Sequence, residues 1–422
     1  MFLYYNRTLE HTLHCINDTF PVLVLTGPRQ VGKTTLLQRM AEPGRKYVAL
    51  DNPTDRLLAK TEPELFLQRY SPPVIIDEVQ YAPELFDYIK IYADTHKTCG
   101  DFWLTGSQTF HMMKNVTESL AGRAGIVRML GLSNSEIDAT GFDSFEVEPQ
   151  VLIDRLDKAT RLSLPEVYER IYKGSFPRLY ENPDVVRKQF YESYLETYIS
   201  RDIKDLTQVA DEIAFLTFMN AVAARTATIV NYDTLANESG ISAPTAKQWL
   251  SLLVSGGLVV LIPAFSNNVL KRTIKAPRMY FTDTGLCAYL TRMNSPEFLE
   301  ASAMDGVFFE TWVVSEIYKS YLHNGKRPPI YYYRDQNKKE IDLIIHQNNI
   351  VNPIEIKKGT APKAATKNFS VLKPITSEPT DEDHFSNTAH LKTEIGPGAV
   401  ICLTSNVLPI DKKNWYIPAW LI

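Results

Sequence analysis

Gly27-Pro-Arg-Gln-Val-Gly-Lys33-Thr34 fills every fixed position of the pattern G-x-x-x-x-G-K-[ST]. The apolar run 22–25 precedes it and a helical pattern over 35–40 follows it. A strand, a glycine loop and a helix in that order make a phosphate-binding loop. Gly27 and Gly32 let the backbone curl until its N–H groups converge on phosphate oxygens. The helix beginning near Lys33 adds unpaired N–H groups and the positive end of its dipole. The Lys33 ammonium reaches β- and γ-phosphates, and the Thr34 hydroxyl is a magnesium ligand. The loop nominates Gly27, Pro28, Arg29, Gln30, Val31, Gly32, Lys33, Thr34 and Thr35 as the nucleotide-binding set.

A loop alone binds; hydrolysis also needs a magnesium anchor and a group that positions water. Val74-Ile-Ile-Asp77-Glu78 supplies both side by side. The apolar residues bury a strand and Asp77 emerges at its C-terminal end, where ligands sit in open α/β sheets. Asp77 is the expected magnesium anchor and Glu78 the residue that polarises the attacking water. A further strand ends in Thr105-Gly-Ser107-Gln108, where a hydroxyl either senses the γ-phosphate or only closes a turn. Arg123 follows a helical stretch and is the first candidate for an arginine finger, with Arg128 the second; either also reads as a surface arginine.

The chain has 422 residues, enough for two to four domains. At 44% hydrophobic and 22% charged, it has ample core material. A net charge of −4 does not advertise a polyanion binder, yet a local basic stripe can sit on an acidic chain. Cys15, Cys99, Cys287 and Cys402 form no C-x-x-C, which excludes zinc-ribbon and thioredoxin chemistry and points to reduced thiols. Residues 1–11 lack a signal-peptide layout and no run of about 18 apolar residues occurs, so a cytoplasmic protein with no membrane span is expected.

The fold class expected is α/β: a P-loop parallel sheet with flanking helices, then a helical winged-helix region and a C-terminal mixed α/β nuclease-like domain. Strand-like runs at 22–25, 47–50, 74–76 and 102–104 alternate with helices, which argues for the parallel sheet. The polar stretch 133–150 reads as the edge of that core. Boundaries are placed at 1–140, 141–210 for a helical lid, 211–285 for the winged-helix-like domain and 286–422. Aromatic residues over 185–206 recur at helical spacing and read as core. Over 229–265, a short helix, Gly240, an N-cap at Ser242, a second helix, Gly256-Gly257 and a strand outline a winged helix-turn-helix. Lys271, Arg272, Lys275 and Arg278 suit a basic wing, but the second helix offers only Lys247 and Gln248 to a groove. A DNA reader and a plain hinge module stand level. In the last third, a helix over 307–321, strands at 330–334, 341–346, 351–356 and 400–404, and a helix over 362–371 are expected.

The set GPRQVGKTTL, VIIDEVQ, LTGSQ and SLAGR resembles the bacterial and archaeal AAA+ ATPases of the archaeal-type branch. Gly174-Ser-Phe-Pro177, the stretch 198–203 and the ending 417–422 fit that family's habits, so the resemblance covers most of the chain. It implies ATP and Mg2+ as cofactors, residues 1–140 as the AAA+ core, and a sheet order of the additional-strand P-loop type. It implies Asp77 and Glu78 as the Walker B pair, Thr105 or Ser107 as sensor, Arg123 as finger, and Arg178 or Arg201 as second sensor. A finger acting in trans would require a homo-oligomer.

A second site is suggested near the C-terminus. Strand alternation puts Glu355 and Lys357 on one face, Asp342 lies on a neighbouring strand, and Glu310 comes from the preceding helix. Converging carboxylates can hold one or two divalent ions, and a lysine beside them can orient water. This D…E-x-K arrangement is similar to restriction-endonuclease-like folds of the Holliday-junction-resolvase type. That likeness implies a second Mg2+ or Mn2+ on Glu310, Asp342 and Glu355, with Lys357 catalytic; a scaffold without chemistry fits the same residues. Lys338, Lys339, Lys358, Lys363 and Lys367 suit a DNA backbone or merely a solvated face. Three functions compete: an ATPase moving the winged-helix and nuclease-like regions on DNA, a nuclease loaded under ATP control, and an ATP-switched protein-interaction module.

Overall fold

The computed structural model describes residues 3–106, 116, 118–198, 212–266, 275–374 and 393–422. Strands β1 (Val22–Thr26), β2 (Lys46–Ala49), β3 (Val74–Asp77), β4 (Phe102–Gly106) and β5 (Ala124–Arg128) form one parallel sheet in the order β2-β3-β4-β1-β5. The added strand β4 lies between the loop-bearing β1 and β3, as expected for an additional-strand P-loop sheet. Every residue of β1, β3 and β4 is buried, which is why these strands read as unbroken apolar runs. Their side chains still alternate. Val22, Val24, Ile76 and Leu104 join one core, while Leu23, Leu25, Ile75 and Trp103 join the other. The second core runs on through the rest of the chain to Ile422. Register pairs Leu25 with Thr105 and Ala49 with Asp77, so the C-terminal strand ends carrying the loop, Asp77 and Thr105 stand side by side.

The stretch 133–150 departs from its reading as a polar edge. Ser133 opens the helix Asn134–Ile137 with a capping box, and Ser133, Asn134 and Glu136 are all buried. The Glu136 carboxylate accepts from Arg7 Nε at 3.2 Å, Thr8 N at 2.9 Å and Ser133 N at 3.0 Å, and lies 3.3 Å from His323 Nδ1. Polarity in the sequence therefore marks a paired, buried joint.

Helices Glu212–Ala224, Tyr232–Ser239 and Ala243–Ser255 pack with an antiparallel sheet of β6 (Thr228–Ile229), β7 (Val259–Ile262) and β8 (Arg278–Phe281), ordered β6-β8-β7. Asn231 and Ser242 cap the second and third helices by accepting from Thr234 N and Thr245 N. The aromatic stripe forms the helix Arg187–Thr197, burying Phe190, Tyr191 and Tyr194. The expected residues Lys271 and Arg272 lie outside the described residues.

The helix Asp305–His323 leads into a seven-stranded mixed sheet of β9 (Ile330–Arg334), β10 (Glu340–Gln347), β11 (Ile350–Ile356), β12 (Glu394–Ile395), β13 (Gly398–Cys402), β14 (Leu408–Pro409) and β15 (Asn414–Pro418). β9, β10 and β11 pair antiparallel, and β11, β13 and β15 pair parallel. The expected helix over 362–371 is a 3-10 segment, Ala365–Val371, and β14 and β15 follow the strand taken as final. Among the described residues no helix is long and apolar enough to cross a membrane.

Burial alone would raise the Glu136 carboxyl, but Arg7 and His323 outweigh it and hold the group well below the usual carboxylate range. Its contribution is complete above the ordinary carboxylate value and is lost only as pH falls through the lower folded value. Glu136→Ala should lower stability by about 3–5 kcal/mol, because it strands a buried arginine. The midpoint of urea unfolding at pH 7 checks this; an unchanged midpoint contradicts it.

Candidate functional site

The phosphate loop is held open by backbone conformation. Gly27 has φ 144°, and a Cβ there would stand 2.0 Å from the Met129 carbonyl oxygen. Gly32, at φ 93°, caps the helix Lys33–Met40 in the left-handed region. Gln30 also has positive φ, at 60°. Lys33 Nζ folds onto the loop, donating to Gly27 O at 2.9 Å and Pro28 O at 2.8 Å. Arg7 Nη1 donates to Val31 O at 2.9 Å from behind. Thr35 and Gly32 line a small cleft with Pro177 of the Gly174-Ser-Phe-Pro177 stretch.

Across the loop, Asp77 Oδ2 accepts from Thr34 Oγ1 at 2.9 Å and from Tyr47 OH at 3.0 Å. Burial, then the neighbouring Glu78 charge, pushes the Asp77 carboxyl up. A cation at this point would reverse that penalty. A hydroxyl and a carboxylate 2.9 Å apart are a donor set suited to magnesium, a hard ion that takes oxygen ligands and keeps several waters. Glu78 is left-handed at φ 55°, and its carboxylate accepts from Gln80 Nε2. Tyr47 and Gln80 were not among the sequence candidates. Tyr47 lies on an edge strand, half-exposed, and nothing in its local pattern marks its hydroxyl as a partner of Asp77.

Residues 19–138 match the family described as AAA domain. This region is an AAA-type P-loop domain. Residues 164–297 and 305–422 match two families described as domains of unknown function, DUF8612 and DUF4143. An uncharacterized protein of Mycobacterium tuberculosis is 26% identical over 359 residues, which cover 83% of this chain and 74% of that one. Among solved structures, a Walker-type ATPase of Pyrococcus abyssi is 14% identical, covering 67% of this chain and 94% of its own, with a TM-score of 0.40. The RuvB Holliday junction branch migration motor of Thermotoga maritima is 16% identical, covering 61% and 86%, with a TM-score of 0.28.

Within the AAA domain, the remaining candidates separate. Thr105 is fully buried at the end of β4, and its hydroxyl has no partner among the described residues; Ser107 lies outside them. Arg123 precedes β5, at the sheet end opposite the phosphate loop, and forms a two-pronged ion pair with Asp94. Arg128 stands at the loop end of β5. There its Nη2 donates to Val254 O at 2.9 Å and Ser255 O at 2.6 Å, closing the helix Ala243–Ser255 rather than facing a neighbour. Arg178 is exposed beside Pro177, and Arg201 lies outside the described residues.

Asp283, also absent from the sequence candidates, is a buried hub. It accepts from Ser175 N at 2.6 Å, Ser175 Oγ at 2.7 Å, Tyr191 OH at 2.9 Å and Leu286 N at 2.6 Å. The Thr-Asp-Thr-Gly run 282–285 is an N-cap signature that could have revealed it.

In the C-terminal domain, Glu310, Asp342, Glu355 and Lys357 do meet. Lys357 Nζ lies 3.2 Å from Asp342 Oδ2 and 2.7 Å from Glu355 Oε1, and Ile356 N donates to Asp342 Oδ2 at 2.9 Å. A further residue stands among them. Arg278 Nη1 is 3.2 Å from Glu310 Oε1 and 3.8 Å from Asp342 Oδ1, and Tyr280 OH donates to the same Glu310 oxygen at 2.8 Å. Burial, then the Asp342 charge, pushes the Glu310 and Glu355 carboxyls up to about 7. Lys357 is pushed up to about 12, the carboxylates outweighing burial. Among the described residues of the cluster, Glu355 Oε2 and Arg278 Nε stay buried without a hydrogen-bond partner. The expected metal set of Glu310, Asp342 and Glu355 is instead faced by two cations of the chain, Arg278 and Lys357. Among the described residues no group of three or more His, Cys, Asp or Glu is arranged to hold a metal.

The Lys33 ammonium has two carbonyl partners to exchange for phosphate oxygens, a charge-assisted contact worth about 1.5–3 kcal/mol. Lys33→Ala should weaken ATP binding by roughly tenfold or more, read by calorimetry. Unchanged affinity contradicts the placement.

Proposed function

We propose that the protein is a magnesium-dependent ATPase whose nucleotide state moves a winged-helix region and the C-terminal domain attached to it, with DNA as the partner. The observation that carries this is the contact between the phosphate loop and the third helix of the middle region. A Cβ at Gly257 would come within 3.0 Å of Pro28 Cδ, and Arg128 grips the last carbonyls of that helix. A loop that reshapes around phosphate therefore pushes directly on the turn between that helix and β7. The order helix, β6, helix, helix, then the β7–β8 pair, with β8 central, supports the winged-helix reading.

Asp77 and Thr34 would hold a magnesium ion, which would supply neutralising charge for the phosphates. Lys33 leaves the loop carbonyls for the phosphates. Glu78, released by Gln80, polarises water for in-line attack on the γ-phosphorus. Thr105 or Ser107 senses the γ-phosphate. Arg123 faces away from its own loop, so it serves a neighbouring copy, and the active form is a homo-oligomer. Glu78→Gln should keep ATP binding and lose turnover by about 10²–10⁴-fold. Full turnover in that variant refutes the assignment. Arg123→Ala should bind ATP normally and lose hydrolysis; full activity in an isolated monomer refutes the trans role.

A second reading, an ATP-switched module that binds protein, draws on the thin charge of the helix Ala243–Ser255, whose exposed face carries Lys247 as its one cation. The two readings divide on ATPase rate with single-stranded, duplex and four-way DNA at low salt. Stimulation by one form, fading as salt rises, supports the DNA reading; no response to any form favours the second.

A further inference from the structure

Arg278 reaches the C-terminal cluster from β8, a strand of the middle region. Its side chain is 6% exposed, so the charge is committed to this position. Besides Glu310 and Asp342, its Nη2 lies 3.1 Å from Glu340 Oε2, and Glu340 is also paired with Arg334. The guanidinium stands over the Tyr332 ring, 5.1 Å from its centroid. Tyr280 follows two residues later on the same face of β8 and donates to Glu310. One strand thus delivers a planar fork and a phenol in register, onto carboxylates supplied by the helix Asp305–His323 and by β10. A guanidinium suits this seat because it stays charged, stacks on the ring and divides its N–H groups among several oxygens.

We propose that Arg278 is the resident cation of the Glu310–Asp342–Glu355 cluster, locking the C-terminal domain to β8 in an arrangement that takes no divalent metal. The D…E-x-K residues are here an interdomain joint. Arg278 pairs with Glu310 and stands 3.8 Å from Asp342, while Lys357 pairs with Asp342 and Glu355, so two cations of the chain already supply the charge a divalent ion would bring. This inference does not depend on the ATPase reading, since β8 meets the cluster whether or not the phosphate loop turns over.

The test uses the full chain without nucleotide. Mn2+ titration followed by electron paramagnetic resonance should give the same curve for the wild type and for Asp342→Asn. A Mn2+ site in the wild type that Asp342→Asn or Glu310→Gln removes overturns the proposal. Thermal unfolding of Arg278→Gln, Glu310→Gln and the double variant gives an independent reading. The double variant should lose little more in Tm than the worse single variant, because both break one joint. Strictly additive losses overturn the lock.

Discussion

The Glu136 carboxylate fixes where the rest of the chain stands against the nucleotide loop. It is buried, and Arg7, His323 and the backbone N–H groups of Thr8 and Ser133 together favour its charged form. Arg7 spends its other N–H groups on backbone: Val31 O in the phosphate loop and Leu130 O at 2.7 Å after β5. His323 ends the helix that begins the C-terminal domain, and two further polar residues of that helix dock on the same segment. Lys319 Nζ donates to Leu132 O at 2.9 Å, and Glu316 accepts from Asn134 N at 2.8 Å. Buried polar groups of this kind are costly when misplaced, so they admit one docking geometry and reject neighbouring ones.

The phosphate loop is consequently touched from two directions. From behind, Arg7 ties it to the C-terminal helix; from above, Pro28 meets the turn at Gly257. Asp283 closes the circuit, joining the Ser175 backbone and Tyr191 to the residues just after β8. A movement of the loop therefore has few ways to be absorbed locally. It must shift the helix Ala243–Ser255, the strands beside it, or the joint at Arg278, all of which are packed in one continuous core.

Much of the nucleotide site was legible because its chemistry is local. Gly27 to Thr35 form one turn, and Asp77 and Glu78 adjoin on one strand end, so spacing alone placed them. The sheet was legible from its apolar runs, except for β5, whose Ala-Gly-Ile-Val-Arg sequence exposes Ile126 and carries a glycine that blurs the signal. Glu310, Asp342, Glu355 and Lys357 were also brought together as their strand and helix positions suggested. What escaped the sequence is long-range pairing. Arg278 read as part of a basic wing because nothing local shows that its charge is buried 64 positions before Asp342 in the chain. Glu136 fell within the stretch 133–150 read as the polar edge of the core for the same reason: a paired buried carboxylate and a solvated one look alike until their partners are known.

Nucleotide at the phosphate loop should be felt at the turn between the helix Ala243–Ser255 and β7. Amide hydrogen exchange over residues 254–258, with and without Mg-ATP, tests it most directly, using Lys33→Ala as the control that cannot respond. Exchange there should change on ATP addition in the wild type and stay constant in the variant. Unchanged exchange over 254–258 in wild-type protein with ATP demonstrably bound would contradict it.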